Sequence, residues 1–533
     1  MLYYSNLKHV ILHAPPFWGH NKGLITLAVF VVKARPTTVV TLLTSKALYK
    51  RSVEELQFKL NREDRDIIQA QINIVDVTGP TPDILSVQFA RVYEALYNEP
   101  EHGVMCMSSR KILFNLPRPT VAVIDPYAGY AYESIRNTSQ GRVPIISWLS
   151  APTAFLLHHI GPAKLGGHAS HQYESAEGRR EIKTLLSSPA NQIDAAGVVT
   201  DSSHASLLSG FNYSTNMTRI MVPGAPPMFV HELMPQIRTS APGKLITIGG
   251  VYLREGNGVI IASNSVYEGK TVEAVKKWFS AMNKDSYALA PLTLPLPCNE
   301  RRDLSEAEKE VLLFLDRIQD TFGSRSLVYI SFGTFAYPPQ AEKLHSLIES
   351  LITHDIPFLF SHPSPQATDG GDLQKIIGKS GIGLATAWCP QEDVLQHDVT
   401  GWFITHGGWN SIQESLQYRV PLILWPISAD QPLNSAQLVL IHKAAFELIE
   451  VRSGEQGTGP MLRFLGGPYI PTFSMTAVKR EFEELIKKLN GQEGQTIRMN
   501  FERLCDKMQE SWQEGGDSSA DFAQFIKKYI DCL

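Results

Sequence analysis

Cysteine is scarce in this 533-residue chain: Cys106, Cys298, Cys389, Cys505 and Cys532 are odd in number, far apart and never spaced as CxxC. That excludes a disulfide framework and a thiolate zinc site, and it fits a reducing compartment. There is no Lys/Arg cluster, and 49 basic against 53 acidic residues leave a net charge of -4, so nucleic acid is not an expected partner. No uninterrupted apolar run reaches membrane-spanning length. Met1 to Lys8 is polar and aromatic before a short apolar run, unlike the basic-then-apolar layout of a secretory signal. A cytoplasmic chain without a membrane span is expected, which would leave the sequons at Asn137, Asn212 and Asn216 unused. The G-x-G-x-x-G phosphate turn is also missing. Gly378-Lys379-Ser380-Gly381-Ile382-Gly383 does not open a helix after a strand, so a nicotinamide or flavin oxidoreductase loses its main support.

What is present is 43% hydrophobic and 19% charged, ordinary for a well-cored enzyme, at a length that implies more than one domain. Short Val/Ile/Leu-rich runs recur, each followed by a helical pattern: His9 to His13, Val39 to Leu43, Ile72 to Val75, Thr120 to Ile124 and Ile145 to Trp148. This is the pattern of a doubly wound α/β sheet. It restarts with Leu327 to Phe332, Pro357 to Ser361, Gly383 to Ala387, Trp402 to Thr405 and Pro421 to Trp425. Between the two sets, Ala290 to Pro297 is too proline-dense for a helix and suits a semi-stiff linker. The predicted division is 1–297, 298–500 and a helical tail over 501–533. In the tail, Phe522, Phe525, Ile526 and Tyr529 share one helical face. The Gly-, Ser- and His-rich stretch Gly161 to Asn216 is read as loops.

Chemistry concentrates in the 44-residue segment Trp388 to Gln431. Trp402 to Thr405 reads as a buried strand, His406-Gly407-Gly408 as a turn and Asn410 to Gln417 as a helix. A helix start carries N–H groups without helical partners and a partial positive charge, and glycines allow close approach, so a diphosphate can sit there. Ser411-Ile412-Gln413-Glu414 also fits a capping box, and a lone tryptophan is more often core than ligand platform. Taken together, however, the order Trp388-Cys389-Pro390-Gln391, His406-Gly407-Gly408-Trp409-Asn410-Ser411, Glu414 and Asp430-Gln431 resembles the donor signature of the UDP-dependent glycosyltransferases of small molecules.

That resemblance implies the GT-B fold: two Rossmann-like domains facing across a cleft, acceptor on the first, UDP-sugar on the second, and the carboxy-terminal helix crossing back. It further implies that Trp388 stacks on uracil and that Gln391 and Glu414 hold the ribose side. His406, Asn410 and Ser411 would contact the diphosphate, and Asp430 and Gln431 would accept sugar hydroxyls. Trp409 would line the sugar pocket through its backbone, with Cys389 and Gly408 in the same donor set. The turn Ser331-Phe332-Gly333-Thr334 matches the family's serine and glycine turn, placing Gly333 and Thr334 near the phosphates. Two departures stand out: Gly407, where many plant members have cysteine, and Lys22-Gly23, where relatives often have a proline.

A direct displacement needs a base to take the acceptor proton, and a histidine near its unperturbed pKa can serve. His20 lies just past the first strand, where ligands bind in open α/β sheets, and resembles the family's catalytic histidine. Asp125, following the strand that ends at Ile124, is its expected partner, although an aspartate there can equally cap a helix. Phe17 and Trp18 beside His20 are expected on the acceptor side. His158, His159, His168 and His171 lack an acidic or cysteine partner to complete a tetrahedral set, so no metal is expected. The implied function is an inverting transfer, by default of glucose, from a UDP-α-sugar to a hydroxyl of a hydrophobic terpenoid, sterol or phenolic. UDP-xylose or UDP-N-acetylglucosamine as donor, or a nucleotide-sugar-binding protein without turnover, are the alternatives.

Overall fold

A strand with no polar face must be covered on both sides, and that requirement organises both halves of the chain. The computed structural model describes residues 7–78, 85–168, 173–186, 215, 217–237, 243–296, 304–334, 337–362 and 372–532. In the first half the strands are β1 (His9–His13), β2 (Val39–Thr44), β3 (Ile72–Asp76), the short β4 (Val104–Met105) and β5 (Ile112–Leu113), β6 (Val121–Ile124), β7 (Ile145–Leu149), β8 (Gly258–Ile261) and β9 (Asp285–Ala288). Seven of them form one sheet in the order β3-β2-β1-β6-β7-β8-β9, with β4 and β5 as a separate antiparallel pair. Every pairing in the large sheet is parallel. The second half supplies β10 (Leu327–Ser331), β11 (Phe358–Ser361), β12 (Gly383–Thr386), β13 (Thr400–Thr405), β14 (Leu422–Leu424) and β15 (Ala445–Glu447), in the order β12-β11-β10-β13-β14-β15. These too are all parallel.

Each sheet therefore has a switch point where the winding direction reverses, between β1 and β6 in the first and between β10 and β13 in the second. Ligands bind beyond the carboxyl ends of strands at such points. The ten anticipated strands all form, within a residue or two of the predicted ends. Strands β4, β5, β8, β9 and β15 were not anticipated; β9, Asp285-Ser286-Tyr287-Ala288, has a polar half and gives a weak sequence signal.

Three expectations change. The segment from Gly161 is not loop throughout, because Ala176–Leu186 is a helix; residues 169–172, 187–214 and 216 lie outside the described residues. The linker is clamped rather than free: Leu292 N–H donates to Gln413 Oε1 at 2.8 Å, Thr293 Oγ1 to Gln417 Oε1 at 3.0 Å and Leu296 N–H to Tyr418 Oη at 3.1 Å. The division at 500/501 falls inside the helix Gln492–Glu510, and the chain returns to the first sheet later, through Asp517–Phe525 and its continuation Ile526–Asp531. There Asp521 accepts the Ala288 N–H at 2.7 Å, Phe525 packs its ring 5.6 Å from Tyr287, and Arg35 pairs with Asp531 at 2.6 Å. Among the described residues no helix is long and apolar enough to cross a membrane.

Phe525 is fully buried in this contact. Phe525→Ala should cost about 3–5 kcal/mol through the cavity it leaves, seen as a clear drop in melting temperature. An unchanged melting temperature would mean that the tail does not hold the first sheet.

Candidate functional site

The helix Trp18–Ala34 starts in the turn after β1, with Phe17 at its N-cap position, and its first turn carries His20. Asp125 follows β6 directly, and its N–H bonds the His13 carbonyl at 2.9 Å, continuing the β1–β6 pairing. Parallel pairing of the two strands thus brings residues 105 apart in sequence together: His20 Nδ1 lies 2.6 Å from Asp125 Oδ2. The other carboxylate oxygen accepts the Tyr127 N–H at 2.9 Å, so Asp125 serves both the turn and the histidine. A carboxylate only accepts, so Nδ1 carries the proton and Nε2 presents its lone pair. Trp148 Nε1 donates to the His20 carbonyl at 2.9 Å and steadies the helix start from the end of β7.

Burial alone would pull the His20 pKa down, but the Asp125 charge and hydrogen bond, helped by Asp430, outweigh it and raise it above its ordinary 6.5. His20 keeps 26% of its side chain exposed while Asp125 keeps 1%. The exposed part faces a cavity of about 180 Å³. Its walls are Phe17, Tyr127, Trp148 and Phe155 from the first domain, with His159 among them, and Ala429 and Asp430 from the second. Asp430 stands at the start of the helix Gln431–Ala436, held by Asn434 Nδ2 at 2.7 Å and by the Trp409 backbone N–H. Burial raises its pKa. The residue before it, Ala429, has φ +58°, an uncommon conformation for a side chain and a local strain point at the site.

At the second switch point, the turns after β10 and β13 face each other. Gly333 has φ +75° and Gly407 φ +81°, so both need the freedom of glycine; at Gly407 a Cβ would also meet Leu424 and Ser435 at 3.2–3.3 Å. The His406 ring lies between Gly333 and Gly408: a Cβ at these positions would stand 2.9 Å and 2.4 Å from ring atoms. Burial pushes the His406 pKa down to about 4, so the ring is neutral. Gly408 is the N-cap of the helix Trp409–Tyr418, and no side chain caps it. The alternative capping box does not form: Ser411 is already the third helical residue, and Glu414 bonds Gln391 and Lys22 instead. Asn410 Nδ2 reaches across to the Gly19 carbonyl at 3.3 Å.

Trp388 is 48% exposed and available for stacking. Gln391 opens the helix Gln391–Gln396, its Oε1 accepting from Tyr329 Oη at 3.1 Å and its Nε2 donating to Glu414. Thr334 lies in the turn after β10 next to Gly333.

Three residues of the expected set, Cys389, Trp18 and Gln431, turn their side chains elsewhere. The Cys389 side chain is buried, its Sγ 3.2 Å from Tyr329 Oη with its pKa pushed up to about 11, so only its backbone can face a donor. Trp18 turns from the cavity and stacks under Arg51 at 4.0 Å. The Trp409 indole is buried between the domains, donating to the Ala262 carbonyl. Gln431 uses its Oε1 on the Ile427 and Ser428 N–H groups at 2.9 and 2.8 Å. Among the described residues there is no group of three His, Cys, Asp or Glu that could hold a metal; the His158 and His168 rings are 4.7 Å apart, and His171 lies outside the described residues. Sequence reasoning missed Tyr127, Trp148 and Phe155 on the acceptor side, although Trp148 ends an anticipated strand at the sheet's ligand side.

Two nucleotide-type sheets whose switch points meet across one cleft define the GT-B glycosyltransferase architecture. The UDP-glucoronosyl and UDP-glucosyl transferase family matches residues 296–454, and a UDP-glycosyltransferase, eriJ, of Hericium erinaceus is 24% identical over 98% of this chain and 99% of its own. Residues 296–454 thus match the UDP-glycosyltransferase family, and the chain is similar to such an enzyme along nearly its whole length. A flavonol 3-O-glucosyltransferase of Actinidia chinensis var. chinensis is 32% identical over 42% of this chain and 43% of its own length. Medicago truncatula UGT71G1 complexed with UDP-glucose shares the fold at a TM-score of 0.64 and 18% identity, covering 98% of each chain.

Gly408→Ala should push the His406 ring out of its slot. UDP affinity measured by calorimetry should fall about tenfold, the weight of one charge-assisted contact, with folding intact. Unchanged affinity would remove His406 from the donor site.

Proposed function

We propose that the chain is an inverting transferase that moves a sugar from a UDP-α-sugar to a hydroxyl of an apolar small molecule, giving a β-glycoside, with His20 as general base. The observation that carries this is the shared cavity: the His20–Asp125 pair from one domain and Asp430 from the other open onto the same space. An acceptor hydroxyl there gives its proton to His20 Nε2 while its oxygen forms a bond to the anomeric carbon. The bond to UDP breaks at that carbon and UDP leaves with the electron pair. Asp125 stabilises the imidazolium that results. The leaving diphosphate would meet the partial positive charge of the helix start at Trp409 and a hydrogen bond from the neutral His406 ring, which together would stabilise the departing anion.

Four aromatic walls and no lysine or arginine among the described residues lining the cavity favour a neutral aromatic or terpenoid alcohol over an acid. Glucose is the default donor on the Asp430-Gln431 pair. Because Gln431 commits its amide oxygen to the backbone, xylose and N-acetylglucosamine belong in the donor panel. Among the described residues four free thiols, three of them buried, fit the cytoplasm as its compartment.

The test is product mass spectrometry from a matrix of UDP-sugars and hydroxylated acceptors. His20→Ala should lower kcat/KM by about 10²–10⁴-fold without loss of UDP binding; UDP binding without turnover by wild type on every acceptor would leave a nucleotide-sugar-binding protein.

The base works unprotonated and its pKa is raised, so kcat/KM should fall as pH drops through a value above 6.5. Asp125→Asn removes the chief raising influence, so the acid limb should move to lower pH while the plateau drops. An acid limb that stays in place would assign it to another group.

A further inference from the structure

The residue two positions after His20 has no part in the reaction just described, yet it sits in the most densely charged buried cluster between the domains. Lys22 Nζ bonds Glu414, lies 2.7 Å from Glu392 Oε1 and 3.6 Å from Glu55 Oε1, with a tenth of its side chain exposed. Glu392 is shared with Lys59 and with Tyr418 Oη at 2.9 Å, and Lys59 also donates to the Leu294 carbonyl at 2.6 Å. Two ammonium groups of the first domain thus hold two carboxylates of the second, next to the linker.

We propose that Lys22 is a positioning residue for the nucleotide: from the first domain it fixes one oxygen of Glu414 while Gln391 fixes the other, so that the carboxylate meets the ribose hydroxyls in a set orientation only when the domains are closed. The proposal rests on Glu414 being the ribose acceptor, as read above. A carboxylate has about four lone-pair sites, and with one on each oxygen used, one on each remains for a hydroxyl. Without Lys22 the buried Glu414 and Glu392 lose a shared countercharge, and a buried carboxylate without its partner is strongly disfavoured, so Glu414 would turn or take up a proton.

The position on the helix matters as well. Residues two apart point about 200° from each other around a helix, so one rigid turn aims His20 at the acceptor cavity and Lys22 at the nucleotide side. That turn is packed tightly: a Cβ on Gly23 would stand 2.7 Å from the Trp148 ring. The base and the hold on the ribose carboxylate therefore move as one body. By linkage, nucleotide binding then stabilises the closed arrangement that brings His20 to the anomeric carbon.

Calorimetry with UDP and 2′-deoxy-UDP separates positioning from mere folding, using wild type, Lys22→Met, the charge-balanced Lys22→Met/Glu392→Gln pair and Lys22→Arg, each checked by circular dichroism and melting. Removing Lys22 should weaken UDP by about tenfold and 2′-deoxy-UDP by less than about threefold, so that the discrimination between them shrinks. Lys22→Arg should restore part of it, and KM for the UDP-sugar should rise more than kcat falls. Trp388→Ala, by contrast, should weaken both nucleotides alike. Discrimination unchanged in a folded variant lacking Lys22 overturns the proposal while leaving the donor site standing. Wild type that binds no UDP at all overturns both.

Discussion

One approach between domains decides whether this molecule has a single site or two half-sites: the start of the helix Trp409–Tyr418 lies against the Gly19-His20 step of the opposite sheet. Asn410 reaches the Gly19 carbonyl, and the Trp409 indole is buried against Ala262. With that contact made, the carboxyl ends of β1 and β6 face those of β10 and β13, and both switch points open into one crevice. The returning helix and the clamped linker serve the same constraint, since each ties one domain to the other by buried hydrogen bonds. In the reaction proposed, neither half could perform the transfer alone, because the proposed base stands on one and the glycine turn and helix start on the other.

Electrostatics in the cleft follow from burial opposed by specific partners. His20 and His406 are both histidines in desolvated surroundings, yet their pKa values move in opposite directions. His20 has a carboxylate at hydrogen-bond distance, whereas among the described residues His406 has the Thr405 hydroxyl at 3.1 Å. The first arrangement favours the protonated ring and the second the neutral one. The Lys22, Lys59, Glu392 and Glu414 group shows the same logic between domains: ions too costly to bury singly are retained as a closed set, and breaking the set exposes that cost.

The strands were readable because parallel strands covered on both faces leave near-continuous Val/Ile/Leu runs. Where that signal is diluted, as in β9 or the three-residue β15, it failed. His20 and Asp125 could be paired from the sequence because Asp125 directly follows one such run and His20 opens the helix after another, and strand ends at a switch point converge. Directions of side chains were not readable in the same way. Trp18 is next to Phe17 in the chain, but a helix turns about 100° per residue, so one ring faces the cavity and the other faces Arg51. Cys389 sits inside the donor segment and still points into the core. Lys22 reads in the sequence only as a missing proline, since its second-domain partners Glu392 and Glu414 are 370 and 392 positions away.

By itself, then, the sequence determined the two doubly wound halves, the glycine turn and helix start that can cradle a diphosphate, and the strand ends that carry the reactive residues. These depend on local periodicity, backbone freedom and short-range pattern, all of which are written in neighbouring residues. Only the tertiary structure decided that the two halves share a crevice, that Gln431 and Cys389 commit their side chains elsewhere, and that Lys22 holds Glu414 across it. Those outcomes depend on how two separately wound sheets pack against each other, and packing between distant segments is set by shape and burial that no local pattern encodes.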